Sequence, residues 1–360
     1  MSTRPRITFD KRGFCNACQW MEEKKNLDWS IRKSQLKKLI QENRNNNSEY
    51  DCIVPVSGGK DGSYVAFKLK EDYGLNVLTV TSRPPLESKT GKTNLHKFVA
   101  SGFDHIHVTP NINAMQKFNK IGFIKKGSPY YGWLIGIHTS VLRLATLMKI
   151  PLIFYSEDGE VEYGGDAKHK ESGIYGIDYQ ISAYMESGYD KVIAKAKKEG
   201  ISDQQLYWFT FPSKKEVENL KIEITHWSFY ENWDPYRNYL VAKEHCGLKE
   251  NKTLNEGTYT NYSMTDQSLF ELHMYFMYLK FGFGRATSDA AIDVRRGAMS
   301  RDQAVQLVQL YDDIYPQKHF EEYCDYYKIS MNQFLENIDK WANKDLFEKK
   351  NKWIPKFKIS

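Results

Sequence analysis

The 360-residue chain has no apolar run approaching the ~18–20 residues that cross a bilayer, and no signal-type apolar segment follows Met1. A cytoplasmic protein with no membrane partner is therefore expected. Cysteine is scarce. There are five, an odd number with no paired spacing plan, which favours a reducing compartment over a disulfide framework. Neither sign of charge dominates: 51 Lys and Arg against 45 Asp and Glu leave a net +6. That suits anionic small molecules and falls short of the basic surface of a nucleic-acid binder, so no nucleic-acid partner is expected. The Walker A spacing and the GxGxxG dinucleotide fingerprint are both missing. Cys246 has no nucleophile-elbow context. Ser2, where an N-terminal-nucleophile glutaminase would need cysteine, excludes that class. No internal repeat is visible.

What is present is an alternating pattern. An arm carrying Cys15-x-x-Cys18 precedes an amphipathic helix over Trp29–Asn43, and the Arg44–Ser48 stretch reads as a linker. Short apolar runs at 52–56, 76–81, 105–109 and 152–156 then alternate with helical stretches at 63–72, 93–101, 113–121 and 133–149. Strands separated by helices predict an α/β fold with a parallel sheet and crossover helices. After about Gly165 the pattern becomes mostly helical, with capping-box signals at Ser213, Ser300 and Ser330. The division expected is 1–49, an arm and helix; 50–165, a nucleotide domain; and 166–360, a mostly helical region for substrate or partner.

The most informative segment follows the first strand: Ser57-Gly58-Gly59-Lys60-Asp61-Gly62-Ser63. Glycines let main-chain amides close on phosphate oxygens, and a helix N-terminus adds partial positive charge. Ser-Gly-Gly-x-Asp resembles the PP-loop of ATP pyrophosphatases, which split ATP into AMP and pyrophosphate. The resemblance implies ATP and Mg²⁺, with Ser57 to Ser63 around the pyrophosphate and Val80 and Thr81 presenting backbone to adenine. Asp61 is a candidate catalytic and Mg²⁺-binding residue. Glu157-Asp158-Gly159-Glu160-Val161-Glu162 follows the fourth strand, at the strand ends where ligands bind. From it Glu157 and Glu160 are chosen as catalytic candidates, with Glu157 also toward Mg²⁺. Cys15-x-x-Cys18 is either a reduced, metal-free pair or half of a zinc site, which His245 and Cys246 would complete across the fold. His138 and Arg143 read as packing or ion-pairing residues.

Further segments resemble the N-acetyl sugar amidotransferases of bacterial surface-glycan pathways, for O-antigens and nonulosonic acids. They are Arg4–Asp10 with Gly13–Cys18, the loop, Ile153–Gly165, His245-Cys246-Gly247, Glu256–Tyr262 and Lys280–Thr287. The resemblance implies a PP-loop domain of the adenine nucleotide alpha hydrolase (HUP) type. It implies an ATP-dependent conversion of an acetamido group on a nucleotide-sugar to an acetamidino group through an adenylated imidate. It further implies ammonia from a partner glutaminase of histidine-biosynthesis type with a cyclase-like companion, and substrate contacts from Tyr259, Asn261, Tyr262 and Arg285. The chain departs from the family twice. The family's additional Cys-x-x-Cys ahead of Thr3-Arg4-Pro5 has no counterpart, and Gly62 stands where PP-loops usually carry a second serine. Two other readings compete: PP-loop RNA modification, such as tRNA thiolation or lysidine formation, and a non-catalytic nucleotide-binding subunit.

Overall fold

The structure is a computed structural model that describes residues 2–44, 48–185 and 188–359. The linker expected at 44–48 lies largely outside the described residues, because 45–47 are not among them. An N-terminal mixed α/β region with a largely parallel sheet is followed by a mostly helical region. The six strands are β1 Cys52–Pro55, β2 Val77–Ser82, β3 Asp104–Val108, β4 Leu152–Tyr155, β5 Ile174–Tyr175 and β6 Glu223–His226. Their order is β3-β2-β1-β4-β6-β5, all parallel except β5.

The helices before and among these strands are α1 Asn16–Asn26, α2 Trp29–Asn43, α3 Lys60–Tyr73, α4 Lys89–Ala100, α5 Ile112–Lys126, α6 Tyr131–Met148 and α7 Gly159–Tyr163. Side-chain alternation splits the strands between two cores. Cys52, Val54 and Val56 pack with Leu36, Val65, Leu69 and Phe98 from α2, α3 and α4. Ile53, Leu78 and Val80 pack with Val141, Leu142 and Ala145 from α6. A third core joins α5 and α6 to the helices Leu269–Phe281, Phe320–Tyr327 and Met331–Trp341.

Two expectations change. The sheet does not stop at Gly165: β6 pairs along β4, and its Ile224 enters the α6 core. A four-residue strand with an apolar residue only at alternate positions is too short to stand out from the helices around it. The basic stretch Lys349 to Lys358, expected as a solvated end with Trp353 and Phe357 packing down, does pack both rings on the helical core, but Phe347–Lys349 and Trp353–Pro355 also form an antiparallel hairpin. The capping boxes at Ser300 and Ser330 are complete, whereas Ser213 caps through its own side chain alone. Among the described residues no helix is long and apolar enough to cross a membrane.

Candidate functional site

The chain leaves β1 toward β2 and β3 on one side and returns through β4 on the other, so the switch point lies between β1 and β4. Ligands in open α/β sheets bind at the carboxyl ends of strands flanking such a point. The Ser57 loop and the Glu157 segment both sit there.

The loop is held by its neighbours. Val56 N donates to Val80 O at 2.9 Å, and Thr81 Oγ1 donates to Val56 O. Val80 and Thr81 are thus buried braces at the loop's entry. Gly58 has φ +78° and lies so close to α4 that a Cβ would stand 2.4 Å from Leu95 N. Gly59 occupies the N-cap of α3. At Gly62 a Cβ would stand 2.6 Å from Pro55 O. Glycine at the serine position therefore brings α3 tightly onto the end of β1. Ser63 does not supply the missing hydroxyl, because it is fully buried and its Oγ has no partner.

Asp61 is fixed from the far half of the chain. Its Oδ1 accepts from Asn238 Nδ2 at 2.8 Å and from Trp233 Nε1 at 3.3 Å, while Oδ2 pairs with Lys60 Nζ. Glu157 lies close to it. Burial and then the Asp61 charge push the Glu157 carboxyl up to about 8. Two carboxylates that disfavour each other's charge suit a divalent cation, which needs only one or two protein carboxylates beside substrate phosphates. Ser57 is hydrogen-bonded to Asp266, whose carboxyl burial pushes up to about 6 despite that bond.

Glu160, chosen as catalytic, belongs elsewhere. Its carboxylate accepts two bonds from Arg6, at 2.8 and 2.7 Å, and one from Asp166 N at 2.7 Å. A buried carboxylate so occupied fastens the N-terminal arm to α7. Glu162 does the same for α1, accepting from Lys24 at 2.8 Å and Trp20 at 3.1 Å. Asp158 caps α7 and accepts from Tyr179 at 2.8 Å.

Lys60 of the loop lines a cleft together with Tyr163, Tyr262, Arg285, Asp289 and Asp293. Arg285 opens the Arg285–Arg295 helix and pairs with Asp289 at 2.9 Å. Burial alone would lower its pKa, and Asp289, Tyr163 and Asp61 together raise it. Tyr262 reaches the cleft and stacks on Tyr239, centroids 4.2 Å apart. The other two expected substrate contacts brace the wall instead. Tyr259 donates to Asp293 at 2.7 Å, and Asn261 donates to Asn251 O at 3.0 Å. His138 is buried and stacks on Tyr184, with burial pushing its pKa down to about 3. Arg143 donates to Thr210 O at 2.6 Å.

Cys15 and Cys18 lie with sulfurs 3.6 Å apart. The expected further zinc ligands are not with them. Cys246 is buried with its thiol toward Ser63 O, and His245 stacks on Phe67. Among the described residues no three His, Cys, Asp or Glu side chains gather as a metal set, so two thiols do not fit a zinc centre.

Sequence reading missed Tyr163, Trp233, Asn238, Asp266 and Asp289. Tyr163 closes the acidic segment already singled out, and Asp289 stands one helical turn after Arg285, so these two carried a signal. Trp233, Asn238 and Asp266 carried none.

Residues 256–358 match the family described as LPS biosynthesis protein WbpG-like, C-terminal domain. No curated protein is matched. Among solved structures the chain is similar to the U34-tRNA thiolase NcsA from Methanococcus maripaludis with its 4Fe-4S cluster. That likeness has 13% identity and TM-score 0.31, covering 62% of this chain and 67% of that one. At that TM-score it has no bearing on the reaction.

Proposed function

We propose that the protein is the ATP-dependent synthetase of an amidotransferase, converting an acetamido group on a bacterial surface-glycan sugar to an acetamidino group. One observation carries this reading. Lys60, from the loop at the β1/β4 switch point, lines a cleft whose residues from Thr260 to Asp293 belong to the segment matching the LPS-biosynthesis family.

The acetamide oxygen attacks the α-phosphorus of ATP, and the bond from that phosphorus to pyrophosphate breaks. The imidate loses its N–H proton, ammonia adds at carbon, and the C–O bond to AMP breaks to leave an amidinium. The amides at Gly58 and Gly59 and the α3 N-terminus receive the pyrophosphate charge, and Lys60 adds a cation. Mg²⁺ held by Asp61 and Glu157 would neutralise phosphate charge. Asn238 and Trp233 fix Asp61 so that it does not reorganise as charge moves. The cleft walls hold the acetamide in line and keep water from the imidate. In this reading ammonia comes from a separate glutaminase polypeptide.

The test is incubation with ATP, Mg²⁺, ammonium chloride and nucleotide-linked N-acetyl sugars, read by mass spectrometry and pyrophosphate release. An acetamidino product, lost in Asp61→Ala, is expected. Pyrophosphate released with tRNA and not with any sugar would replace this reading with RNA modification. No release under any condition would leave a nucleotide-binding subunit.

A further inference from the structure

Two guanidinium groups beside the cleft are paired less closely with carboxylates than their neighbours are. Arg6 is bidentate on Glu160, Lys24 pairs with Glu162, Arg285 with Asp289 and Arg296 with Asp293. Arg4 is largely buried. Its Nη2 reaches Gly159 O at 3.4 Å and the already occupied Glu160 only at 3.9 Å, and its Nε is buried with no acceptor. Arg295 donates to the main-chain oxygen of Glu162 at 3.1 Å, and no carboxylate among the described residues pairs with it. The two repel each other: burial first, then the Arg6 and Arg295 charges lower the Arg4 pKa against the pull of Glu160 and Tyr163.

Their position relates them to the cleft. The Arg4 guanidinium stands 5.9 Å from the centre of the Tyr163 ring, and Tyr163 lines the cleft. Arg295 closes the helix whose Arg285, Asp289, Ile292 and Asp293 form the cleft wall. At ~1.5 Å rise per residue that helix spreads its two arginine ends by roughly 15 Å, the scale of a nucleotide-linked sugar. Keeping two like charges half-buried with only the distant, already occupied Glu160 between them is unfavourable. An oxyanion removes that cost, and guanidinium forks match its oxygens two at a time.

We infer that Arg4 and Arg295 form an oxyanion subsite for the second substrate on the Tyr163 side of the cleft. It takes the diphosphate of a nucleotide-linked sugar or the carboxylate of an acidic one. The inference rests on the proposed function, which puts such a sugar in this cleft.

Titration calorimetry of the full chain with UDP, uridine and glucuronate, with and without a non-hydrolysable ATP analogue filling the loop, tests it. UDP or glucuronate should bind about tenfold or more tighter than uridine and weaken with salt, and whichever does so names the oxyanion. Arg295→Met and Arg4→Met should each lower that affinity about tenfold while ATP affinity holds, and Arg295→Lys should recover part. Thermal melting establishes that each variant is folded. If Arg4→Met melts early, Arg295→Met decides alone. Equal affinity for all three probes, no binding of any, or unchanged affinity in Arg295→Met overturns the subsite. ATP failing to bind while UDP still depends on Arg295 would overturn the loop reading and leave the subsite standing.

Discussion

The Ser57–Asp61 loop, which reaches the cleft through Lys60, is built on main-chain packing, whereas the Arg285–Arg295 helix across the cleft works through side chains. The loop wall is defined by close approach: Gly58 lies against Leu95 and Gly62 against Pro55. The helix wall is defined by charge, with Arg285 on Asp289, Thr258 on Asp289 at 2.7 Å and Tyr259 on Asp293. A main-chain wall has one geometry and tolerates no added atom. A side-chain wall can change its specificity one residue at a time. That difference suits a shared nucleotide on one side and a variable sugar on the other.

The comparison breaks most sharply at Gly58. Gly58→Ala should cost about 3 kcal/mol or more, because a left-handed backbone and a main-chain clash act together. Urea denaturation reads it, and an unshifted midpoint would show that the loop wall yields. Gly62→Ser tests the same wall against intuition, since it restores the residue PP-loops usually carry. Here it should destabilise by about 1–3 kcal/mol and weaken ATP binding, because the new Cβ meets Pro55 O. Improved ATP affinity would refute the close-packing account. Asn238→Ala removes a donor from Asp61 and should cost about 1–2 kcal/mol, with pyrophosphate release falling roughly tenfold. A stability loss at full activity would mean Asn238 braces the fold and not the site.

The smallest effect lies in the helical half, at His319. His319 stands 3.2 Å from both Glu271 and Glu322, whose hydrogen bonds raise it from 6.5 to about 9. Its contribution is therefore fully present below about pH 6.5 and lost as pH rises through about 9. His319→Gln should lower the melting temperature by a few degrees at pH 6 and by nothing above about pH 10. An equal loss at both pH values would assign the effect to packing.

Much of the first half was legible because four apolar runs of four to six residues, each followed by a helix, leave little choice of topology. The loop was legible because its glycines are adjacent in sequence. The acidic segment was legible as a place and not as roles. Glu157 and Glu160 look alike on paper, and only the return of Arg6 from 154 residues away takes Glu160 out of contention. Asp266 and Asn238 were invisible for the same reason. A carboxylate or carboxamide in a polar stretch reads as a solvated side chain until the fold brings it against Ser57 or Asp61. Tyr259 and Asn261 show the opposite side of the same point, since their polar groups pair inside their own loop and its neighbouring helix, which the sequence does not announce.

Trp233 has a consequence of another kind. Its indole is buried, lies within hydrogen-bonding reach of the Asp61 carboxylate and packs near Tyr163, ring centres 5.8 Å apart. A charge displaced beside an indole shifts its emission, so filling the loop registers as light. Subtracting the spectrum of Trp233→Phe isolates that signal from the other seven tryptophans of the eight in the chain. The molecule thus carries its own optical gauge at the carboxylate that matters most.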